Sequence, residues 1–329
     1  HRRDRRGGAV GRGTSWLPND RPSGRPQQTL IGPAAQPIGS VSAMASGFNA
    51  ADDLVIRSLL FAPGNRPEVL AKLPRSGPSA AAIDLEDAVP PDCKAKARAI
   101  AHRIAPDLVS ATQLFVRINA VDTDHFAADV TDGLPPGLTG VVVPKLESRA
   151  AVDAVSAALD GAGHTDLPIV AGLETVAGVV DARTVTTHRR VRWCYFGAED
   201  YVADLGGVRT SGNAEVATAR TQVAQAARLG DVQAIDMVVA DFGDDARFRR
   251  EANEARYLGF TGKLCIHPAQ VALAAEAFRP TADELAWATA VAEAYDDALA
   301  RGDASIAVDG EMVDEPVVRR ARALLAGAD

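Results

Sequence analysis

Short apolar runs alternate with segments of helical periodicity from Leu54 onward. Runs of this length predict buried parallel strands, and a repeated strand–helix order predicts an α/β protein. The predicted strands are Ser58–Ala62, Ala80–Ile83, Leu114–Ile118, Gly140–Val143, Ile169–Leu173, Val191–Phe196, Ala234–Val238 and Leu264–Ile266. Helical periodicity is clearest in Lys94–Ile104, Arg149–Leu159, Ala214–Leu229 and Ala246–Leu258, with Asp92 and Asp244 or Asp245 at positions typical of N-caps.

Eight strand–helix units over roughly 220 residues match the count and size of a TIM (β/α)8 barrel, which we predict for residues 54–280. An open, doubly wound sheet is the alternative, because the number of strands alone does not exclude it. No strand is followed by G-x-G-x-x-G or by G-x-x-x-x-G-K-[ST], so the sequence signals neither a dinucleotide site nor a P-loop.

The pattern changes after Pro280, and residues 281–329 form a predicted C-terminal helical extension. One long helix follows the N-cap candidate Thr281 and stops at Gly302. A short strand, Ser305–Val308, leads through an Asp-Gly turn to a last helix, Glu315–Ala326. A barrel does not need this extension, which therefore either packs on the barrel wall or covers one rim as a lid.

Charge and composition separate the first 43 residues from the rest of the chain. Residues 1–43 contain seven Arg and two Asp and therefore carry a charge of +5. Because the whole chain carries −8, the remaining residues carry −13. Residues 1–43 are rich in Arg, Gly and Pro, and we predict a disordered or non-native extension before a natural start near Met44.

The acidic body argues against nucleic acid as the main partner, and no apolar run is long enough for a membrane span. Three scattered cysteines indicate reduced thiols in a cytoplasmic protein.

Charged or polar residues follow nearly every predicted strand, and in this fold the active site lies where the strands end. They are Asn65 and Arg66, then Asp84, Glu86 and Asp87, Arg117 and Asn119, Lys145, Glu174, Glu199 and Asp200, Asp236, and His267. Charges gathered at one rim are costly unless they meet partners, a metal or a ligand. The sequence therefore predicts an active site at this rim.

Two acids at the ends of neighbouring strands indicate a metal site. Glu174 follows the run Ile169–Leu173, and Asp200 follows Val191–Phe196. Two carboxylates with water are the usual ligands of Mg²⁺, and they leave positions for substrate oxygens. The alternative is that both acids cap helices or pair with arginines.

Four further residues each have a structural and a functional interpretation. Arg117 either binds a substrate carboxylate through two N–H groups or pairs with Asp84 or Glu86. Lys145 is a candidate for Schiff-base chemistry, but its acidic neighbours favour a protonated, ion-paired amine. His267 is more typical of a packed, hydrogen-bonded histidine than of a base, and Cys194 is typical of the core.

Nine segments together resemble the citrate lyase beta subunit-like proteins of the HpcH/HpaI aldolase/citrate lyase family. They are LLFAPGNRPE, AIDLEDAVPPDCKAKAR, FVRIN, VVVPKLES, GLETVAGV, FGAEDYVADLG, AIDMV, GFTGKLCIHPAQV and DGEMVDEPVV, in the family's order from Arg57 to about Leu325. The resemblance implies a TIM barrel, usually trimeric, that acts as a Mg²⁺-dependent acyl-CoA lyase. It implies Glu174 and Asp200 as metal ligands, Arg117 as the carboxylate-binding arginine, and Glu86 and Asp87 as supports of the metal's waters.

The resemblance also assigns a role to the C-terminal extension. Asp314, in GEMVDEP, matches an aspartate with which relatives that act on malyl-CoA-like substrates reach a neighbouring subunit's site. The implied partners are an acyl-CoA, with Arg66 and Lys72 as candidates to meet its phosphates, and a 2-oxo acid. For these two basic residues a solvated helix start is the plainer interpretation.

Several functions remain open at this point. The resemblance favours cleavage or formation of the C–C bond in citramalyl-CoA, malyl-CoA or citryl-CoA. The alternatives are a citrate lyase beta subunit acting on an acyl-carrier-protein thioester, a malyl-CoA-type thioesterase, and a class II aldolase acting on free hydroxy-oxo acids. A catalytically inactive barrel that serves as a binding module would show no metal dependence.

Overall fold

Eight parallel strands close into a barrel in the computed structural model, which describes residues 54–327. The strands are β1 (Ser58–Pro63), β2 (Ala80–Asp84), β3 (Leu114–Arg117), β4 (Gly140–Val143), β5 (Ile169–Leu173), β6 (Val191–Phe196), β7 (Gln233–Asp236) and β8 (Gly262–Cys265). Each strand pairs in parallel with the next, and β8 pairs with β1. The prediction of a TIM barrel is confirmed, whereas the predicted leading segment 1–43 and the start at Met44 lie outside the described residues.

Helices surround the barrel and continue beyond it. They are α1 (Pro67–Leu70), α2 (Lys94–Val109), α3 (Phe126–Asp132), α4 (Arg149–Gly161), α5 (Val176–Val180), α6 (Ala182–Thr186), α7 (Ala198–Leu205), α8 (Ala217–Gly230), α9 (Asp245–Leu258), α10 (Pro268–Phe278), α11 (Ala282–Arg301) and α12 (Glu315–Ala326). A hairpin of β9 (Ile306–Val308) and β10 (Glu311–Val313) joins α11 to α12. Two short 3₁₀ turns, Leu73–Ser76 and Pro91–Cys93, precede β2 and α2.

The barrel strands are apolar on both faces because each face packs against a different layer. One face points into the barrel, where Phe115 and Trp193 meet edge to face with ring centroids 5.5 Å apart. The other face packs against the helices in the larger core. Continuous apolar runs are expected when both faces of a strand are buried, so the run pattern locates these strands well.

The predicted last strand begins two residues too late, because the second residue of the observed strand is charged. Strand β8 contains Lys263, which is fully buried between the sheet and the helices. Its ammonium lies 2.7 Å from Asp236 on β7 and 3.6 Å from Glu251 on α9. A buried charge is tolerated when it is paired in this way, but a search for apolar runs does not include it.

The predicted helix caps are correct at two of three positions. Asp244 caps α9 by accepting the Arg247 N–H, and Thr281 caps α11 in a reciprocal arrangement with Glu284. The prediction that Asp92 caps α2 is wrong, because residues 91–93 form a 3₁₀ turn and Cys93 occupies the N-cap position without a side-chain bond. Gly302 ends α11 in the left-handed conformation, as its position after the helix predicts.

The C-terminal extension forms its own small core and lies near the N-terminal ends of the barrel strands. Residues of α11, α12 and the hairpin pack around Tyr295 and Val318. Arg57, just before β1, donates a hydrogen bond to the Gly327 carbonyl at 3.1 Å, and Arg256, at the end of α9, bonds Glu284 at 2.7 Å. Both arginines lie where strands begin, so both ends of the extension contact this side of the barrel, and its role as a lid stays a prediction.

The Arg256–Glu284 contact predicts an acid-sensitive contribution to stability. The hydrogen bond from Arg256 lowers the pKa of Glu284 in the folded protein to about 2. The contact therefore stabilises the fold fully above the ordinary pKa of a glutamate, and this stabilisation is lost as pH falls through the pKa of the folded state. Because Glu284 is partly exposed, we expect Glu284→Gln to lower Tm by only about 1–2 °C at pH 7. Urea unfolding at several pH values should show the difference from wild type shrinking between about pH 4.5 and pH 2.

The control for this prediction is Glu311→Gln, because Glu311 is exposed on the same extension and forms no ion pair within residues 54–327. Gln at position 284 can still complete the capping box, so the substitution removes mainly the charge. A stability difference that stays constant down to pH 2 would contradict the assignment.

The described helices and the three cysteines bear on the predicted location and thiol state. Among the helices in the described part of the chain, none combines the length and the apolar character needed to cross a membrane. All three cysteines are free thiols, and burial raises the pKa of Cys194 and of Cys265 to about 12. Cys194 lies in the core as predicted, and the cytoplasmic location stays a prediction.

Candidate active site

Polar side chains from five neighbouring strands meet at the C-terminal rim of the barrel, as the strand ends predict. Strands β2 to β6 deliver them in order, because each turns into its following loop at this rim. The cluster consists of Asp84, Glu86, Asp87, Arg117, Lys145, Glu174, Tyr195 and Asp200. We call these eight residues the rim cluster.

Asp84 and Arg117 form the ion pair that the sequence offered as the alternative to substrate binding. Asp84 Oδ1 lies 2.8 Å from Arg117 Nε, and Asp84 Oδ2 lies 2.6 Å from Nη2. A third nitrogen, Nη1, lies 3.0 Å from Glu86 Oε2. Two of the five N–H donors of the guanidinium thus bond Asp84, whereas the Nη1 contact is an ion pair without a hydrogen bond, since Glu86 Oε2 accepts none. Burial alone would lower the pKa of Arg117, but the Asp84 carboxylate outweighs burial and holds the pKa of Arg117 well above its ordinary value.

Asp84 also shapes the loop that follows β2. Its carboxylate accepts the backbone N–H of Glu86 at 2.8 Å and that of Ala88 at 3.3 Å. Behind the loop, the buried Lys94 ammonium donates to the carbonyls of Leu85 and Glu86, both at 2.8 Å. The loop is therefore fixed from both sides, and Glu86 is held against the cluster.

Lys145 connects the acids of the rim cluster. Its Nζ lies 2.7 Å from Glu86, 3.5 Å from Asp200 and 3.8 Å from Asp87. Burial alone would lower the pKa of Lys145, but Glu86, with Glu174 and Asp200, raises it well above the ordinary value. The amine is therefore protonated and ion-paired, which excludes the free amine that Schiff-base chemistry requires and agrees with the interpretation favoured by the sequence.

Glu174 is buried, with 2 % exposure, and its two carboxylate oxygens have different surroundings. Oε1 accepts hydrogen bonds from Tyr195 at 2.9 Å and from the Lys145 backbone N–H at 3.0 Å. Burial and, next, the Glu86 charge raise the pKa of Glu174 to about 7. A buried carboxylate with its pKa raised in this way is short of nearby positive charge.

The charges of the rim suit a divalent cation. Five carboxylates face three cations, a formal excess of two negative charges: Asp84, Glu86, Asp87, Glu174 and Asp200 against Lys94, Arg117 and Lys145. Within residues 54–327, no three His, Cys, Asp or Glu side chains are arranged to enclose a metal. A cation here would therefore take two carboxylates plus water or substrate oxygens, which is the coordination that Mg²⁺ prefers.

Four residues singled out from the sequence lie apart from the rim cluster. Arg66 is exposed and pairs with Glu68 at 2.7 Å, and Lys72 is exposed beyond α1, as a solvated helix start predicts. His267 accepts the Ala269 N–H as the N-cap of α10, which is the structural interpretation. Asp314 lies on the extension, at the N-cap of α12, without a side-chain capping bond.

A cavity of about 400 Å³ opens beside Arg117 and supplies an apolar wall. Phe61 lies against the guanidinium, 5.1 Å from ring centroid to Cζ, and Val238, Leu264 and Ile266 line the same space. A larger cavity of about 580 Å³ lies at the opposite end, where β4 and β5 begin. Because chemistry in this fold occurs where the strands end, we assign the smaller cavity to the active site.

Two contributors to the site, Tyr195 and Lys94, were missed from the sequence. Tyr195 lies within an apolar run that predicts only a strand, although a buried phenol usually needs a hydrogen-bond partner. Lys94 begins α2 and was treated as an ordinary helix residue, yet it is 6 % exposed and also donates to Asn119 at 2.6 Å. The first turn of α2 must pack on the barrel, so a lysine at this position indicates a buried ammonium that needs partners.

Known proteins are similar to this chain in fold and in sequence over most of its length. The model of the HpcH/HpaI aldolase/citrate lyase family matches residues 57–268. The crystal structure of the protein CitE from Mycobacterium tuberculosis in complex with magnesium, acetoacetate and coenzyme A is 30% identical, with a TM-score of 0.70. The match covers 84% of this chain and 99% of that one.

Two curated relatives extend the comparison to named lyases. A citrate lyase subunit beta-like protein of Deinococcus radiodurans is 51% identical over 276 residues, which cover 82% of this chain and 96% of the relative. An L-malyl-CoA/beta-methylmalyl-CoA lyase of Cereibacter sphaeroides is 32% identical over 301 residues, which cover 83% and 94%. The chain belongs to the HpcH/HpaI aldolase/citrate lyase family and is an enzyme of the carbon–carbon lyase type.

Proposed function

We propose that this protein is a Mg²⁺-dependent acyl-CoA lyase. It cleaves, or in reverse forms, the C–C bond of a 3-hydroxyacyl-CoA such as citramalyl-CoA, malyl-CoA or citryl-CoA. The products are a 2-oxo acid and a shorter acyl-CoA. The substrates and ligands in the names of its relatives support this class, namely malyl-CoA for a lyase and magnesium with coenzyme A for CitE.

The observation that carries the proposal is the buried Glu174 carboxylate, whose pKa the charge of Asp200 helps to raise. Glu174 accepts the Lys145 backbone N–H at 3.0 Å and Asp200 lies 3.5 Å from the Lys145 ammonium, and the two acids follow the neighbouring strands β5 and β6. Glu174 and Asp200 would hold Mg²⁺, with Glu86 and Asp87 supporting its waters. When bound, the ion supplies Lewis acidity and a template for the hydroxyl and carboxylate oxygens of the substrate.

Arg117 would orient the substrate carboxylate. The N–H donors that do not bond Asp84 are held at a fixed angle because Asp84 binds one side of the guanidinium. A guanidinium fixed in this way loses little freedom when it binds a second carboxylate. The apolar residues beside it exclude water from the carbons between which the bond breaks, which strengthens each charged contact.

The net cleavage moves the hydroxyl proton of the substrate to the carbon next to the thioester. That carbon keeps the electron pair of the broken C–C bond, while the carbinol carbon becomes the carbonyl of the oxo acid. We assign Asp314 to proton transfer at this carbon, from a neighbouring subunit of a homo-oligomer, which we propose to be a trimer. The extension on which Asp314 lies contacts the strand starts of its own barrel through both of its ends, which supports action in another copy.

A substrate screen tests the proposed function. The purified protein is incubated with citramalyl-CoA, malyl-CoA and citryl-CoA, with Mg²⁺ or with EDTA, and oxo acid and free thiol are measured separately. We expect Mg²⁺-dependent release of oxo acid from at least one ester, without an equal release of thiol.

The other outcomes separate the alternatives. Free thiol in proportion to turnover would indicate a thioesterase, and activity only on free hydroxy-oxo acids would indicate a class II aldolase. Activity only on acyl-carrier-protein thioesters would indicate a citrate lyase beta subunit. No turnover of any of these, with no response to Mg²⁺, would refute the proposed function.

A further inference from the structure

Tyr195 lies inside the barrel with its hydroxyl against the acid that we assign to the metal. The residue is 1 % exposed on β6, and its hydroxyl donates to Glu174 Oε1 at 2.9 Å. No step of the reaction described above uses this phenol.

The hydrogen bonds on Glu174 distinguish its two oxygens. Oε1 receives the Tyr195 hydroxyl and the Lys145 backbone N–H, whereas no donor within residues 54–327 bonds Oε2. Lys145 directs its N–H there with φ of 51°, in the left-handed region that residues other than glycine seldom adopt. Two independent donors therefore fix one oxygen and leave the other free.

Two glycines make room for this arrangement. A Cβ on Gly172 would lie 2.5 Å from the Tyr195 hydroxyl oxygen, so a side chain there would displace the phenol. A Cβ on Gly197 would collide with Glu174 Oε2. Both sides of the Tyr195–Glu174 contact thus depend on backbone without a side chain.

We propose that Tyr195 is a positioning residue that holds Glu174 Oε1 and thereby presents Oε2 to the divalent cation. This inference rests on the proposed function, because it takes Glu174 as a ligand. A carboxylate with one oxygen fixed has fewer orientations to lose when it binds a metal. Hydrogen-bond partners of metal ligands commonly affect metal affinity about 10–100-fold.

The test is the metal affinity of Tyr195→Phe, which retains the ring and removes only the hydroxyl. Calorimetry with Mg²⁺ and electron paramagnetic resonance with Mn²⁺ should show dissociation constants raised about 10–100-fold. Turnover against Mg²⁺ concentration should show a higher half-saturation value, with kcat near that of wild type once metal saturates. A residue with only a structural role would not produce this separation.

Tyr295→Phe is the matched control, because that phenol bonds the Ala304 carbonyl at 3.5 Å in the extension. It should bind metal as wild type does. Gly172→Ala is the second variant: its Cβ would press on the Tyr195 phenol and on the Pro144 backbone, so its fold is checked by circular dichroism, and the folded variant should weaken binding similarly. Metal affinity unchanged in the folded Tyr195 variant would overturn the inference and leave the proposed function standing, whereas wild type without affinity for Mg²⁺ or Mn²⁺ would overturn the proposed function itself.

Discussion

Replacing Glu174 with Gln should reduce lyase turnover by about 10³-fold or more, which corresponds to roughly 4 kcal/mol of lost transition-state stabilisation. The amide keeps the size of the side chain but cannot supply the negative charge that a hard cation requires. Mg²⁺ affinity measured by calorimetry should fall by more than the roughly 10–100-fold effect typical of a residue that only supports a ligand.

The same substitution should not destabilise the metal-free protein. Burial raises the pKa of Glu174 to about 7, so near neutral pH the charged form is unfavourable in the folded state. A neutral amide removes that cost, and we expect the Tm without metal to be equal to or higher than that of wild type. Loss of activity together with unchanged or greater stability would separate a functional acid from a structural one.

Glu147→Gln is the matched control, because Glu147 is an exposed carboxylate in the loop after β4, on the same rim. Its replacement should leave turnover and metal affinity unchanged. If Glu174→Gln retained wild-type turnover with Mg²⁺, or if both variants lost activity equally, the assignment of Glu174 as a ligand would be wrong.

The sequence predicts the fold well because barrel strands buried on both faces appear as uninterrupted apolar runs. The prediction fails where a charge enters a strand, as at Lys263, since its partners Asp236 and Glu251 come from other elements. The charged strand ends correctly locate the rim. Which charged side chains pair with each other follows from closure of the barrel, which brings Lys145 of one loop to Glu86 of another. The spacing of these two residues along the chain does not predict that they are in contact.

Similar reasons explain which parts of the site the sequence left open. Arg117 had two interpretations, and only the side-chain geometry shows that Asp84 binds its Nε side. Tyr195 is indistinguishable from a core aromatic residue until its hydroxyl is seen against Glu174. Periodicity predicts the helices of the extension. Its contact with the strand starts is seen only in the hydrogen bonds of Arg57 and Arg256, which the sequence pattern does not indicate.

Replacing Asp314 with Asn should abolish most turnover and leave Mg²⁺ affinity unchanged. The carboxylate is assigned to proton transfer, and positioned general acids and bases contribute about 10²–10⁴-fold. Asp314 makes no side-chain capping bond at the start of α12, so the substitution should leave folding intact. Asp309→Asn, in the turn of the preceding hairpin, is the control, because Asn tolerates the left-handed backbone at that turn.

Complementation between two inactive variants tests whether Asp314 acts in a second copy. In a mixed oligomer of Asp314→Asn and Glu174→Gln chains, a site built from two copies can combine the intact Glu174 of one with the intact Asp314 of the other. Random mixing of equal amounts then restores about a quarter of the sites, which kinetics of the co-expressed protein would measure. If Asp314 acted within its own chain, every site would lack one of the two acids, and co-expression would restore no activity.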